Sequence, residues 1–429
     1  MRRPLASVLT LGCKLNLADS EEVARGLQGC GYRVTTALCE ADAYVINTCA
    51  VTHVADRKSR KLVRSVRRLA PGARVVVTGC FPRAAGEAAA ADLGADLVAG
   101  TSDQDKARIV SFLAEPGIEP LPSEATAAAG THIARAFIKA QEGCNDVCAF
   151  CIVPRTRGRE RSRTVERVAE EVRRATAGGA REAVITGTQL GAWGRDFDPP
   201  QTPATLIAGL LEATDVPRIR FSSLQPQDIT PELLALWRDP RLMPHFHLAL
   251  QAGSDATLAA MRRRYTAAEF VRAAERIRAA VDGVAITTDV IAGFPGETEA
   301  QFAETLALCE AVGFARVHAF PYSLRSRTAA ALMPGHLPAE VVKERMARLL
   351  ALGEDLWARF RESQAGTLRP ILWEAPRSGP DGTRHAFGHT DNYLPVYAED
   401  GGLDGRVTQA QLGPVYHDGV WGSVPGEAI

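Results

Sequence analysis

Gly143-Cys144-Asn145-Asp146-Val147-Cys148-Ala149-Phe150-Cys151 is the stretch on which the reading of this chain turns. Its C-x3-C-x2-C spacing brings three thiolates within reach of one 4Fe-4S cube, so that three irons are capped and the fourth is left open to a substrate or cofactor. The plain alternative is a zinc knuckle. Zinc sites take four ligands, commonly from paired C-x2-C or Cys/His sets, whereas here His132 lies upstream and no fourth ligand stands close downstream. A disulfide is disfavoured in a chain that reads as cytosolic. The spacing therefore predicts chemistry at an open iron.

Upstream, residues 1–115 alternate between short apolar runs and helical spacing. Ala6–Leu11, Ala43–Ile46 and Arg74–Thr78 read as strands; Ser20–Gln28, capped by Asp19 or Ser20, and Val54–Leu69 read as helices. That alternation predicts a parallel sheet flanked by helices. Cys13, Cys49 and Cys80 each follow one of these strands, and the carboxyl ends of parallel strands share the edge where ligands bind. These three are a candidate second metal-binding set, with three unrelated buried thiols as the alternative. Cys30, Cys39 and Cys309 lack this placement and read as ordinary buried or half-buried thiols.

Downstream, residues 115–130 are rich in Pro, Ala and Gly and read as a linker. Six strands then alternate with helices over 130–365: Arg135–Ala140, Ala183–Thr186, Ile219–Ser222, His247–Leu250, Ala285–Ile291 and Arg316–Phe320. They predict a partial (β/α)6 barrel, whose active site gathers at the strands' carboxyl ends. Cys144 lies just beyond the first. Gly187 and Gln189, Ser222 and Gln225, Gln251, and Gly293 lie in the loops after later strands, and with Phe150 they are the candidate cofactor-binding residues. Residues 366–429 change character: Pro370–Trp373, Tyr393–Tyr397, Arg406–Leu412 and Val420–Val424 alternate with Gly, Pro and Asp turns, predicting a small β-barrel. Eight acidic residues face four arginines there, so an RNA grip would rest on shape and on stacking by Tyr393 and Phe387; a structural lid is the alternative.

The 429 residues suit two or three domains. Basic and acidic residues balance at 50 each, so a nucleic-acid partner must be argued from local patches. Two are candidates: Arg57, Arg60, Lys61, Arg64, Arg67 and Arg68 at helical spacing, and the alternating Arg155, Arg157, Arg159, Arg161 and Arg163 beside the first cysteine set. Such runs are more often solvated surface. No apolar run reaches membrane-spanning length. The start has the outline of a lipoprotein signal ending at Gly12-Cys13, but its apolar part is too short, so a cytoplasmic location and no membrane partner are expected. Nine cysteines in a reducing compartment favour metal ligation.

The cysteine run, with Phe150 just before its last cysteine, resembles that of the radical S-adenosylmethionine (SAM) enzymes. Gln141-Glu142-Gly143-Cys144-Asn145, Cys151-Ile152-Val153-Pro154 and Arg157-Gly158 resemble their methylthiotransferase branch. So do Leu11-Gly12-Cys13-Lys14-Leu15-Asn16, Asn47-Thr48-Cys49-Ala50-Val51 and Thr78-Gly79-Cys80, and the resemblance spans almost the whole chain. Gly388-His389-Thr390-Asp391-Asn392-Tyr393 resembles the TRAM domain, an OB-like RNA-binding module. The resemblance implies two 4Fe-4S clusters, one on Cys144, Cys148 and Cys151 that binds S-adenosylmethionine, the other on Cys13, Cys49 and Cys80 with an open iron for sulfur. It implies reductive cleavage of the sulfonium to a 5′-deoxyadenosyl radical, a tRNA substrate, a reducing electron donor and a sulfur source. Phe320-Pro321-Tyr322-Ser323, Arg327-Thr328-Ala329-Ala330 and Ser222-Ser223 before Pro226 resemble the type acting on N6-threonylcarbamoyladenosine. The types acting on isopentenyladenosine or on a ribosomal-protein aspartate are alternatives, as is a non-catalytic iron-sulfur RNA-binding protein. Gln225 stands where relatives often carry Glu, and Arg155 where they often carry Tyr.

Overall fold

The computed structural model describes residues 3–114, 134–380 and 382–425. The linker expected at 115–130 lies outside the described residues. Five strands form the first sheet: β1 (Leu5–Thr10), β2 (Arg33–Thr35), β3 (Ala43–Thr48), β4 (Arg74–Gly79) and β5 (Leu97–Val98). All pair in parallel, in the order β2-β1-β3-β4-β5. Side-chain alternation splits the core in two. Ala6, Val8, Val45 and Val76 pack on one face with Val23, Leu27 and Ile109. Leu9, Tyr44, Ile46, Val75 and Val77 pack on the other with Val63, Val66 and Phe81. A parallel sheet covered on both faces is the expected outcome of such continuous apolar runs. In this strand order the chain reverses direction across the sheet between β1 and β3, and a ligand crevice opens at their carboxyl ends.

Helix α1 spans Lys14–Gly29 with Cys13 as its N-cap, six residues earlier than the start expected at Ser20. Asp19 and Ser20 are not caps. Asp19 is buried against Lys139 at 2.6 Å, and the Ser20 hydroxyl accepts from Thr10 and Asn47. Helix α2 (His53–Leu69) is capped by Thr52, which accepts from the Ala55 N–H.

The central wall contains β6 (Arg135–Lys139), a short antiparallel pair of β7 (Gln141–Glu142) and β8 (Arg161–Ser162), then β9 (Glu182–Thr186), β10 (Arg218–Phe221), β11 (Ser223–Leu224), β12 (His245–Leu248), β13 (Ala285–Ala292) and β14 (Arg316–Pro321). Parallel pairing runs β6-β9-β10 and β11-β12-β13-β14, with Ser222 as the joint between them. All six predicted strands are present, bent into an open barrel whose edges are β6 and β14. One large core of helix-facing residues, including Ile138, Ile185, Ile219, Phe246 and Val290, lies outside this wall. The helix Ala339–Gln364 covers β14, with Gly353 set against Val317.

The chain ends in a closed antiparallel-rich barrel, β15 (Leu368–Ser378), β16 (Arg384–Thr390), β17 (Pro395–Ala398), β18 (Val407–Tyr416) and β19 (Gly419–Ser423), ordered β15-β16-β17-β19-β18. It docks on the amino ends of the central strands. Arg135 at the start of β6 pairs with Glu374 at 3.0 Å, Arg218 at the start of β10 donates to the Thr390 carbonyl at 2.9 Å, and Asn392 and Arg369 donate to Gly283. Two expected RNA-stacking residues are thereby occupied. Phe387 is buried in the small barrel with the Arg377 guanidinium over its ring, and Tyr393 points into the floor of the central barrel, stacked on His389.

Candidate active site

Three of the six motif cysteines follow a glycine with positive φ: Gly12 (107°), Gly79 (95°) and Gly143 (78°). At Gly12 a Cβ would meet the Cys49 Cβ at 2.8 Å and its sulfur at 3.1 Å. Only glycine lets the Cys13 loop come this close to Cys49. Cys49 directly follows β3, and Cys80 opens the short helix α3 (Cys80–Ala85) directly after β4. Burial pushes the Cys49 thiol up to about 11, and its neighbours Cys80 and Cys13 add to the rise. The three sulfurs therefore sense one another at the β1/β3 crevice.

Cys144, Cys148 and Cys151 lie beyond the carboxyl end of β6. The Gly143 N–H donates to Thr188, and Gln141 ties the loop down by donating to the Gly143 carbonyl at 2.8 Å while accepting from the Gln189 N–H at 3.0 Å. Burial pushes Cys144 up to about 11 and Cys151 up to about 12, with Cys148 raising both further. Among the described residues, no three His, Cys, Asp or Glu side chains form a group that could hold a metal ion. In a cubane each cysteine takes a different iron, so its sulfurs stand farther apart than those around one zinc. Each set offers three thiols at one strand-end site, the donor set that caps three irons of a cube and leaves the fourth open.

The surroundings of the first triad supply a network that sequence reasoning missed. Arg263 donates to the Cys148 sulfur at 3.2 Å and to the Gln225 amide oxygen at 3.0 Å. Gln225 donates to Asp146 at 3.2 Å, and the Asp146 N–H donates to the Cys144 sulfur at 3.4 Å. Arg263 is 112 positions or more from the motif, so no spacing signal could announce it. Gln225 is buried within this network, at the position where the sequence departs from its relatives.

The other candidates divide. Among the described residues the buried Gln189 Nε2 and Ser222 Oγ find no hydrogen-bond partner, an expensive state that a bound ligand relieves. Gln251 holds φ = 67°, a strained value for a non-glycine residue, with its N–H on the Asp289 carbonyl at 2.8 Å. Phe150 packs against the main core. At Gly187 a Cβ would press on Gln141. Gly293 faces Val342 of the covering helix, and its N–H is taken by Glu297 at 2.8 Å.

Arg157 joins the two triads. It is 4% exposed, donates to Asp19 at 2.7 Å and to Glu142 at 2.8 Å, and donates also to Asn16. Its guanidinium and the Thr156 hydroxyl lie near enough to the Cys80 thiol to counter part of the rise that burial imposes on it. A residue from the loop after Cys151 thus stands beside the second triad. Arg163 is likewise internal, bonded to Glu22 at 2.7 Å and Asp103 at 2.9 Å. The expected cationic run at Arg155–Arg163 is therefore reduced to its exposed members Arg155, Arg159 and Arg161. On α2, Arg67 leaves the basic face to bond Asp96 at 2.6 Å and the Gly94 and Ala73 carbonyls, while Arg57, Arg60, Lys61, Arg64 and Arg68 line a surface groove.

An open six-strand barrel bearing a three-cysteine loop at its first strand end defines a radical SAM fold. The Radical SAM superfamily model matches residues 138–309, and the model described as "Uncharacterized protein family UPF0004" matches residues 6–100. The chain is similar to the threonylcarbamoyladenosine tRNA methylthiotransferase MtaB of Bacillus subtilis (strain 168), at 34% identity over 96% of this chain and 94% of that one. It is similar, at 35% identity over 98% of each chain, to the tRNA-2-methylthio-N(6)-dimethylallyladenosine synthase of Geobacter metallireducens. Among solved structures it resembles the radical S-adenosylmethionine methyltransferase TsrM from Kitasatospora setae, with a TM-score of 0.54, 14% identity, and 86% and 81% of the two chains covered; that likeness concerns the fold alone.

The chain belongs to the radical S-adenosylmethionine methylthiotransferase family. Its cofactors are S-adenosylmethionine and two 4Fe-4S clusters. Among the described residues no helix is long and apolar enough to cross a membrane.

Proposed function

We propose that the protein transfers a methylthio group to carbon 2 of N6-threonylcarbamoyladenosine beside the anticodon of tRNA, replacing C2–H by C2–SCH3. In this reading S-adenosylmethionine supplies both the methyl group and the radical that opens the C–H bond. Cys144, Cys148 and Cys151 hold the cluster that takes S-adenosylmethionine, with Gln189 and Ser222 as polar contacts. Cys13, Cys49 and Cys80 hold the cluster that carries sulfur. Residues 1–115, 130–365 and 366–429 are the sulfur-carrying, radical-generating and RNA-module domains.

Relatives of both tRNA types are about equally similar, so the choice of adenosine rests on the barrel interior. Its inward row is polar: His245 and His247 on β12, Thr287 and Asp289 on β13, and His318 on β14. His247 pairs with Asp289 at 3.2 Å and lies 5.8 Å from the His318 ring. An isopentenyl group is apolar and would desolvate these groups while offering them no hydrogen bond; a threonylcarbamoyl group carries hydroxyl, urea and carboxylate. The single supporting observation is thus this polar row. The reconstituted enzyme should be given anticodon stem-loops bearing either adenosine, and the product nucleosides identified by mass spectrometry. Methylthio product from the isopentenyl stem-loop alone would refute the reading.

A further inference from the structure

Three cations converge on one ring at the floor of the barrel. The Tyr393 ring centroid lies 4.7 Å from the Arg220 Cζ, 5.3 Å from the Arg135 Cζ and 5.7 Å from the Lys14 Nζ. They come from separate parts of the chain: Lys14 opens α1 directly after Cys13, Arg135 and Arg220 lie on β6 and β10, and Tyr393 hangs from the turn between β16 and β17. Tyr393 holds a left-handed backbone, φ = 73°, a strained state for a bulky residue that persists only where its surroundings enforce it.

The charges around this ring do not balance. Arg135 has Glu374 at 3.0 Å. Arg218 and Arg220 share the one carboxylate of Glu182, each at 2.8 Å. Asp289 is engaged by His247. Lys14 has no ion pair or hydrogen bond to any described residue. Among the described residues the buried Arg220 Nη1 and Arg135 Nη1 also find no hydrogen-bond partner, and Arg220 is 1% exposed. Surplus positive charge and unmet donors in one desolvated place describe an anion site. It is reached from the open side of the barrel, where Arg316, His318 and Phe320 stand exposed on β14.

We propose that Lys14 binds the carboxylate of the substituent on the substrate adenosine, with Arg220 and Arg135 supplying the positive field behind it. This rests on the threonylcarbamoyl reading above. A backbone phosphate would have to bring its sugar into the lumen, whereas a carboxylate at the end of a base substituent enters while the base stays at the mouth. Because Lys14 adjoins Cys13, the same α1 start that positions the sulfur-carrying triad would sense the substituent.

The test uses the reconstituted enzyme and anticodon stem-loops carrying N6-threonylcarbamoyladenosine or its neutral methyl ester, read as stem-loop Kd and as KM and kcat for methylthio product. Wild type should bind the ester at least about tenfold more weakly than the acid, the effect of one charge-assisted hydrogen bond. Lys14→Met should lose about tenfold on the acid and discriminate the two less than about threefold, whereas Lys14→Arg should restore the preference in part. Iron content reports folding; should Lys14→Met lose iron, the wild-type ester comparison and Lys14→Arg carry the test. Equal use of acid and ester by wild type, or undiminished discrimination by Lys14→Met, overturns the inference alone. Activity on the isopentenyl stem-loop only overturns the substrate reading and this inference with it.

Discussion

Replacing Arg157 by Met should loosen the docking of the first sheet domain on the barrel without unfolding either. Arg157 makes three charge-assisted bonds, to Asp19, Glu142 and Asn16. At about 1.5–3 kcal/mol apiece, bonds to charged groups would total about 5–9 kcal/mol. The loss is smaller because the partners keep other donors: Lys139 stays on Asp19 at 2.6 Å, and Thr101 stays on Glu142 at 2.6 Å. Met also fills most of the vacated volume. A penalty of about 3 kcal/mol is expected, at the low end for breaking a buried ion network from one side. Asp19 and Asn16 belong to α1 and Glu142 to β7, so the penalty falls on the contact between them. In a chain of several domains a single unfolding free energy is poorly defined, and native-state hydrogen exchange is the better assay. Amides of α1 and of the Gln141–Arg157 stretch should exchange about a hundredfold faster, the equivalent of about 3 kcal/mol. Amides of β9 and β13 should be unchanged. A uniform rise across the chain, or no rise in α1, would show that Arg157 is not what fastens the two triads together.

Three further outcomes are expected. Cys148→Ala should abolish 5′-deoxyadenosine formation, while the Cys13/Cys49/Cys80 triple Ala variant should keep about half the iron and still form it without methylthio transfer; full iron in the triple variant would mark those three as buried thiols only. Burial would raise the Glu22 carboxyl, but the Arg163 hydrogen bond and Lys106 outweigh it and hold it at about 2 against 4.5. Its folded value is depressed, so its stabilisation is present above pH 4.5 and lost as pH falls toward 2, by about 3 kcal/mol; in native-state hydrogen exchange of α1 across that window, Glu22→Gln should flatten this part of the acid dependence. Reversing Arg57 and Arg64 to Glu should weaken tRNA binding and reduce its salt slope, whereas Arg67→Glu, which breaks the Asp96 pair and two carbonyl bonds, should instead destabilise the fold by about 2 kcal/mol; an unaltered slope for the first pair would leave the α2 face as solvated surface.

The six barrel strands and the first sheet were legible because their signal is local: apolar runs of four to eight residues between helical spacings. The cysteine positions were legible for the same reason, since Cys13, Cys49 and Cys80 each closely follow one of those apolar runs and Cys144 follows the first barrel strand. The start of α1 was not. Its N-cap is Cys13, which makes no side-chain cap bond, so the Asp19-Ser20 pair offered a stronger but false cap signal. β16 was also missed, because Gly388 sits in its middle; there a Cβ would lie 2.4 Å from the Leu372 carbonyl oxygen, and the strand needs glycine for its neighbour's approach. The arginines were hardest. Spacing placed Arg157, Arg163 and Arg67 on cationic runs, but their carboxylate partners lie on other segments, and no periodicity reports a partner 60 or 140 positions away.

The small C-terminal barrel shows how such long-range pairing changes a functional reading. Its acidic excess argued against RNA, yet one of those acids faces inward: Glu374 pairs with Arg135 of the central barrel at 3.0 Å. Part of the negative charge is therefore neutralised in the interface and does not describe the outer surface. The two aromatics offered for stacking are covered as well, Phe387 beneath the Arg377 guanidinium and Tyr393 in the floor of the neighbouring barrel. The amino ends of barrel strands serve stability, and here the docked module adds a side chain to the lumen from that end. The cysteine triads sit at the opposite, carboxyl end and Lys14 reaches between. On the proposed reading the α1 start carries both Cys13 and Lys14 while the docked module supplies Tyr393, so a change at Tyr393 would alter which adenosine is accepted while both triads stay intact.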